Sequence, residues 1–341
     1  MIRLKPLHQQ VMVITGASSG IGLSTARLAA QGGARLVLAA RSEGPLQQLT
    51  QEITQAGGQA IYVVADVSQE AEVQQIAARA LDAYGQVDTW VNNAGVGLYG
   101  ALEEIGTDDM RRLFDVNFWS VVYGSRTALG LLREQGGALI NMGSTASERA
   151  IPLQGIYSAS KHAVKGFTDA LRMEVQDAGL PVSVTLIKPG PIDTPFPLNA
   201  RNYLDVEPQH VPPVYAPETV ARAVLQAAEH PARDVFVGSG GKGIAAFGQL
   251  VPGATDRAME RFVIPRTHSD KPPLPREQNA LDRPSERLAE RGDYPGLVHA
   301  RSRYTEAAQA GLIRTAGLVG SGLGLLSLAL WRRRHQRSAL R

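Results

Sequence analysis

"VMVITGASSGIG", residues 11–22, decides the architecture of this chain. Val11 to Thr15 form an apolar, β-branched run that reads as a strand, and "STARLAAQ" (24–31) just beyond carries apolar positions at helical spacing. Between them "TGASSGIG" (15–22) turns one into the other. Gly16 lets the backbone take a positive φ, Gly20 leaves the main chain bare where a pyrophosphate has to approach, and Gly22 permits close packing of helix on strand. The opening of the helix then offers unpaired N–H groups and a positive dipole end to phosphates. The spacing is GxxxGxG rather than GxGxxG.

Outward from this turn the same alternation continues. "RLVLAA" (35–40), "AIYVVA" (60–65), "TWVNN" (89–93), "ALINM" (138–142), "VSVTLI" (182–187) and "DVFVG" (234–238) are apolar nearly throughout, as strands covered on both faces must be. Ala- and Leu-rich helical patterns such as "EVQQIAARALDAYG" (72–85) separate them. Repeated strand–helix–strand units with right-handed crossovers predict an α/β fold, a Rossmann-type doubly wound parallel sheet of about seven strands.

The chain has 341 residues, 44% hydrophobic and 20% charged, enough for one large α/β domain and an appendage. It contains no cysteine, which excludes disulfides, thiolate zinc sites and cysteine nucleophiles. The formal net charge is +3, with Arg332, Arg333, Arg334, Arg337 and Arg341 at one end. No basic face interleaved with aromatics marks the body, so nucleic acid is not an expected partner. The seven histidines lack metal-ligand spacing, and no metal is expected. "MIRLKPLHQQ" (1–10) lacks the apolar core of a cleavable signal, which predicts a body that stays on the cytoplasmic side.

Seven motifs in order, "TGASSGIG", "ADV" (65–67), "NNAG" (92–95), Asn117 in "DVNFWS", Ser144 in "NMGSTAS", "YSASK" (157–161) and "PGPIDTPF" (189–196), make residues 8 to 250 resemble the short-chain dehydrogenase/reductase family. In "YSASK" there is also a direct physical reason. Tyr157 and Lys161 are one helical turn apart, and an ammonium beside a phenol lowers a pKa that is ordinarily about 10. Tyr157 can then give a proton to a carbonyl oxygen or take one from an alcohol, provided the cleft over the glycine turn is open.

The resemblance implies that Lys161 also binds the nicotinamide ribose, that Ser144 hydrogen-bonds the substrate oxygen, and that Asn117 holds a water linking Lys161 to solvent. It implies a cofactor cleft lined by Gly16, Ser18, Ser19, Gly20, Ile21, Gly22, Asp66, Val67, Asn93, Ala94, Gly95, Pro189, Gly190 and Ile192, with Asp66 at the adenine and Thr194 at the carboxamide. It also implies a dimer or tetramer. At the end of the second strand, "LVLAARSEG" (36–44) carries no carboxylate for a ribose 2′-OH. Arg41, with Ser42, suits a 2′-phosphate, so NADP(H) is favoured over NAD(H). His162 points to another side of the helix from Lys161 and reads as structural. Phe196, Leu198, Tyr203 and Leu204 either line an apolar substrate pocket or pack a lid helix.

After about Asp256 the composition changes. "PRTHSDKPPLPREQNALDRPSERLAERGDYPG" (265–296) is rich in Pro and in charges of both signs, which predicts a linker or loosely docked arm over 256–311, after a catalytic domain over 1–255. A short helix is expected within "ARSRYTEAAQAGLI" (300–313). In the last segment, 312–341, residues 315–331 carry no charge and hold six leucines and a Gly320/Gly324 pair. As a helix these residues reach about 25 Å against a hydrocarbon core of about 30 Å. Three readings stay open: a tail anchor, a shallow interfacial or re-entrant helix, and a helix docking on a neighbouring subunit. The arginines after the span outnumber Arg301, Arg303 and Arg314 before it, which places the C-terminus on the cytoplasmic side. The tail anchor is the first expectation; a full span with a cytoplasmic body conflicts with that count, which is the best argument for the shallow alternative.

The expected function is therefore a membrane-associated, NADP(H)-dependent interconversion of an alcohol and a carbonyl, on a small molecule that the tail suggests is lipid-like. A reductase of soluble carbonyls merely localised by its tail, and a cofactor-binding scaffold without turnover, are the rival readings.

Overall fold

The computed structural model describes residues 2–309. Seven strands form one parallel sheet: β1 (Val11–Thr15), β2 (Arg35–Ala40), β3 (Gln59–Val64), β4 (Thr89–Asn92), β5 (Gly137–Met142), β6 (Val182–Pro189) and β7 (Asp234–Val237). Their order is β7-β6-β5-β4-β1-β2-β3, every pairing parallel. The helices between them are α1 (Gly20–Gln31), α2 (Glu43–Gln55), α3 (Glu70–Tyr84), α4 (Thr107–Phe114), α5 (Ser120–Gln135), α6 (Gly155–Asp177) and α7 (Pro217–Glu229). All seven strands expected from the apolar runs are present, each displaced by no more than two residues at an end.

The pleat sorts side chains into two cores. From β1, Met12 and Ile14 pack with Leu23 and Ala26 of α1, Leu46 and Leu49 of α2 and Val220 and Val224 of α7. Val11 and Val13 face the other way, onto Val73 and Ile76 of α3, Leu132 of α5 and Leu171 of α6. Trp90 is fully buried in this second layer, where its indole N–H donates to Asn92 Oδ1 at 2.8 Å. Such side chains contribute roughly 1.5–3 kcal/mol each by leaving water. Local signals set the helix ends: Pro217 opens α7, and Gly85 closes α3 with φ of 71°. The strand order reverses between β1 and β4, which leaves a crevice at the carboxyl ends of the strands.

Two features bear on the sequence expectation. Helix continues across residue 255: after α8 (Gly240–Leu250), α9 (Pro252–Ala258) leads through a π-helical turn at Met259–Val263 into α10 (Ile264–Thr267). The arm beyond it is docked rather than loose. Leu281 is fully buried among Val96, Leu98, Ile105, Leu113 and Val116. Val298–His299 pair with Val214–Tyr215, and Arg291 bonds Glu218 at 2.7 Å. The arm docks through backbone carbonyls, a few ion pairs and isolated apolar anchors, none of which leaves a periodic pattern.

Residues from Arg303 onward form a separate unit, of which α11 (Arg303–Gln309) is described; it matches the short helix expected there. The uncharged stretch 315–331 lies outside the described residues, and among those described no helix is long and apolar enough to cross a membrane.

Candidate active site

The glycine turn is built as its sequence demands. Gly16 has φ of 67° and Gly20 of 53°. A Cβ on Gly16 would stand 2.8 Å from Ala94 Cα, and one on Gly22 only 2.1 Å from the Gly16 carbonyl oxygen. Asn93 ties the turn to β4, its amide donating to Thr15 O at 2.9 Å and Gly16 O at 3.3 Å, while Thr15 Oγ1 accepts from the N–H groups of Asn93 and Ala94. Over this turn lies a cavity of about 390 Å³. Gly16, Ser18, Ser19, Gly20 and Ile21 line one end, Ala94 and Gly95 the middle, and Pro189, Gly190, Ile192 and Thr194 the opposite wall. Gly22 lies beneath it as a packing residue. The cleft is open, with the arm at its edge: the Gly20 N–H donates to Ala289 O at 2.8 Å.

At the far end of the turn, Arg41 and Ser42 line the cavity beside Asp66 and Val67. Arg41 is not free there. Its guanidinium donates to the carbonyls of Ala280 and Leu281 on the arm, and burial, offset by Asp66, brings its pKa below the usual arginine value. Asp66 is half-buried; burial pushes its pKa up, but hydrogen bonds from Arg112 at 2.5 Å and from Ser68 outweigh this and hold it low. The Arg112 partner was not foreseen in the sequence.

The three residues expected to be catalytic come from two elements. Ser144, just after β5, caps the turn Thr145–Ser147: its Oγ accepts from Ala146 N–H at 3.0 Å, and Ser147 Oγ accepts from Ser144 N–H at 3.2 Å. Tyr157 and Lys161 both face the cavity from α6. The Tyr157 ring meets Phe196 edge-on at 5.4 Å. Lys161 is 4% exposed, and its ammonium donates to Met142 O at 2.9 Å.

Here the electrostatics differ from expectation. Loss of water pushes the Tyr157 phenol up to about 12, against a hydrogen bond with Ser144 that lowers it. Burial brings Lys161 down to about 8. The ammonium donates to the Met142 carbonyl and stands 5.8 Å from the Tyr157 ring centre, and the effect of burial prevails on the phenol.

Asn117 sits in a π-helical turn, Asp115–Trp119, between α4 and α5. It is fully buried, and its side chain clamps Val96, accepting from the N–H at 2.8 Å and donating to the carbonyl at 3.0 Å, with Ser160 Oγ at 3.3 Å. The bare backbone of Gly95 keeps Asn117 and Lys161 near each other: a Cβ there would lie 3.3 Å from Asn117 Oδ1 and 3.8 Å from Lys161 Nζ.

Sequence reasoning missed Tyr99 and Gln154. Both are buried in the cavity wall and hydrogen-bonded to each other, and burial raises the Tyr99 pKa with help from nearby Tyr157. No motif marks them, since Leu98–Tyr99 is only a two-residue strand paired with Arg201–Asn202. Phe196 lines the cavity, as one of the two readings of that segment required. Tyr203 instead packs with the Val96 cluster, its hydroxyl donating to Asp109 at 2.7 Å, and Leu198 lines a separate small pocket. His162 has a structural contact, its Nδ1 2.9 Å from Ser158 O. Among the described residues no group of His, Asp or Glu side chains is placed to hold a metal ion.

Comparison with known proteins places this geometry. The short chain dehydrogenase family pattern matches residues 10–203. The uncharacterized oxidoreductase YxnA of Bacillus subtilis (strain 168) is 46% identical over 322 residues, covering 94% of this chain and 90% of that protein, a length that has to include the arm. The 11-beta-hydroxysteroid dehydrogenase A of Sesamum indicum is 35% identical over 64% of this chain and 65% of its own length. Among solved structures, a short chain dehydrogenase/reductase from Burkholderia phymatum in complex with NAD has a TM-score of 0.64 and 28% identity, covering 80% of this chain and 100% of its own. An alcohol dehydrogenase from the archaeon Thermococcus sibiricus complexed with 5-hydroxy-NADP has a TM-score of 0.60 and 29% identity, covering 67% and 95%.

Proposed function

Since the chain belongs to the short chain dehydrogenase family, we propose that its cleft takes NADP(H) and that it interconverts a lipid-like alcohol and the corresponding carbonyl. At the coarser level it is an oxidoreductase of that family. The observation that carries the reading is the meeting of Ser144, Tyr157 and Lys161 in one cavity that runs on to the glycine turn.

The residues fit a nicotinamide dinucleotide. Gly16 and Gly20 keep bare backbone at the start of α1, where a Cβ on Gly20 would come within 3.2 Å of Thr194. Ser18, Ser19 and Ile21 would hold the phosphates, Asp66 and Val67 the adenine, Lys161 the nicotinamide ribose and Thr194 the carboxamide. Bound there, the dinucleotide supplies or accepts the hydride. Ser144 holds the substrate oxygen, its position fixed by the reciprocal cap with Ser147. Tyr157 gives its phenolic proton to that oxygen in reduction, and its high pKa keeps the proton available at neutral pH. Phe196 braces the ring and excludes water.

The NADP(H) preference is supported by Arg41 at the end of β2 and the lack of a carboxylate there. A lipid-like substrate is supported by the apolar wall formed by Tyr99, Ile151, Phe196, Val211, Ile244 and Val263. Ile244 is 45% exposed, and Phe247, Leu250 and Phe262 on the same helices are more so, which favours a mouth that meets lipid. Two relatives are named for hydroxysteroids, which favours the same class. Residues 315–331 and the arginines after them are the proposed membrane attachment, with the body on the cytoplasmic side. A homo-oligomer is supported by the exposed Trp119 and Met173.

The test is NADPH oxidation by the full chain with aldehydes and ketones graded by chain length. Rising kcat/KM with chain length, and preference for NADPH over NADH, is the expected result. Turnover restricted to short polar carbonyls would overturn the lipid reading.

A further inference from the structure

We propose that residues 279–292 of the arm are a strap that closes the dinucleotide site and governs how fast the dinucleotide leaves, with Leu281 as its anchoring, positioning residue. The inference rests on the dinucleotide reading above.

Three separate parts of the cleft are held by this one segment. At its start, Asn279 Oδ1 accepts from the N–H groups of Leu281 at 2.9 Å and Asp282 at 3.1 Å, and so shapes the turn that drives Leu281 into the Val96 cluster. Arg41 binds the same turn through the carbonyls of Ala280 and Leu281. Further on, Ala289 O takes the Gly20 N–H of the phosphate-binding turn, and Glu290 pairs with Arg27 of α1 at 2.7 Å. At its end Gly292 lies against the Thr194 backbone, so close that a Cβ would meet Thr194 O at 2.6 Å. The strap therefore spans from the arginine expected at the 2′-phosphate, past the glycine turn, to the segment expected at the carboxamide.

It crosses the cleft without filling it. Ala280, Pro284 and Ser285 form the arm side of the same cavity that Gly16 and Tyr157 line from the body. A bound dinucleotide is then enclosed between strand ends and strap, and must wait for the strap to lift before it departs. The attachment suits that task, because one buried leucine, the carbonyl acceptors of Ala280, Leu281 and Ala289 and a partly buried ion pair can open locally while the sheet stays intact. Arg41 donates to strap carbonyls and also faces the cavity, so closure and recognition of the 2′-phosphate share one side chain.

The experiment uses the full chain and three readouts that do not need turnover. NADPH fluorescence gives affinity, stopped-flow displacement by excess NADP+ gives the release rate, and limited trypsin digestion reports access to Arg283 and Arg287. Leu281→Ala, and separately Gly292→Val, which strikes Thr194 without touching the apolar cluster, are each expected to speed NADPH release by about tenfold or more with a smaller change in association. Leu281→Met should restore slow release, and NADP+ should slow tryptic cleavage at Arg283 and Arg287 in the parent protein. Both variants must keep a cooperative melting transition; if Leu281→Ala loses it, Gly292→Val alone decides. NADPH that binds normally but leaves both variants at the parental rate, with cleavage indifferent to NADP+, overturns the strap and leaves the oxidoreductase reading standing. Absence of any NADPH or NADH binding to the parent chain overturns both.

Discussion

The Lys161 ammonium lies 5.8 Å from the centre of the Tyr157 ring and donates its hydrogen bond elsewhere, to the Met142 carbonyl at 2.9 Å. In the free protein it is a buried cation, and on the proposed reading it is the one that meets the dinucleotide. Burial brings its pKa from 10.5 to about 8, so it is charged below that pH and neutral above it. A lysine that must present a positive charge to the dinucleotide loses that ability as pH rises. The profile of kcat/KM for the dinucleotide, which reports groups of the free enzyme, should be level below about pH 8 and fall towards tenfold per unit above it. Lys161→Arg should lower the level but remove the falling limb, since a guanidinium stays protonated beyond pH ~12. A parental profile that is flat to pH ~10 would contradict this assignment.

On the proposed reading, Arg41 carries the choice between dinucleotides. A charge-assisted bond is worth about 1.5–3 kcal/mol, so Arg41→Ala should raise the KM for NADPH by roughly 10- to 150-fold. The KM for NADH should change by less than about threefold, because a hydroxyl has no charge to lose. Equal losses with both would mean that Arg41 serves only to hold the arm.

Gly22→Ala tests the glycine turn from beneath. The new methyl would stand 2.1 Å from Gly16 O and 2.6 Å from Asn93 Nδ2, and backbone has to move to admit it. Overpacking of this kind costs about 1–3 kcal/mol. The melting midpoint should drop by roughly 2–10 °C, and NADPH affinity should fall with it. Unchanged affinity would show that the turn does not form the phosphate site.

Legibility followed the kind of interaction. The sheet could be read because strands buried on both faces have to be apolar, and because Gly16 and Gly22 admit no other side chain. Ser144, Tyr157 and Lys161 could be read because their spacing is fixed by one strand end and one helical turn. Arg112 at Asp66 and Gln154 at Tyr99 could not, since each pair is made by tertiary packing between elements that nothing local connects. The arm was hidden for a related reason: Ala289 and Ala280 act through carbonyl oxygens that any residue possesses. The lowered phenol pKa followed from counting one helical turn, which takes no account of burial, and burial pushes the Tyr157 phenol up.

Membrane attachment is checked by removing residues 312–341. The full chain should float with liposomes containing anionic lipid, and the shortened chain should stay in the soluble fraction with its NADPH affinity within about twofold. Equal flotation of both would move the attachment to the exposed Phe247, Leu250 and Phe262.

The most direct test is a single-turnover measurement with Tyr157→Phe. NADPH is bound first, a long-chain aldehyde is added, and nicotinamide absorbance is followed. Removing one hydroxyl should slow hydride transfer by about 10²- to 10⁴-fold. NADPH affinity and the melting transition should match the parent. Hydride transfer at the parental rate would mean that the proton comes from elsewhere, and the catalytic role given to Tyr157 would be wrong.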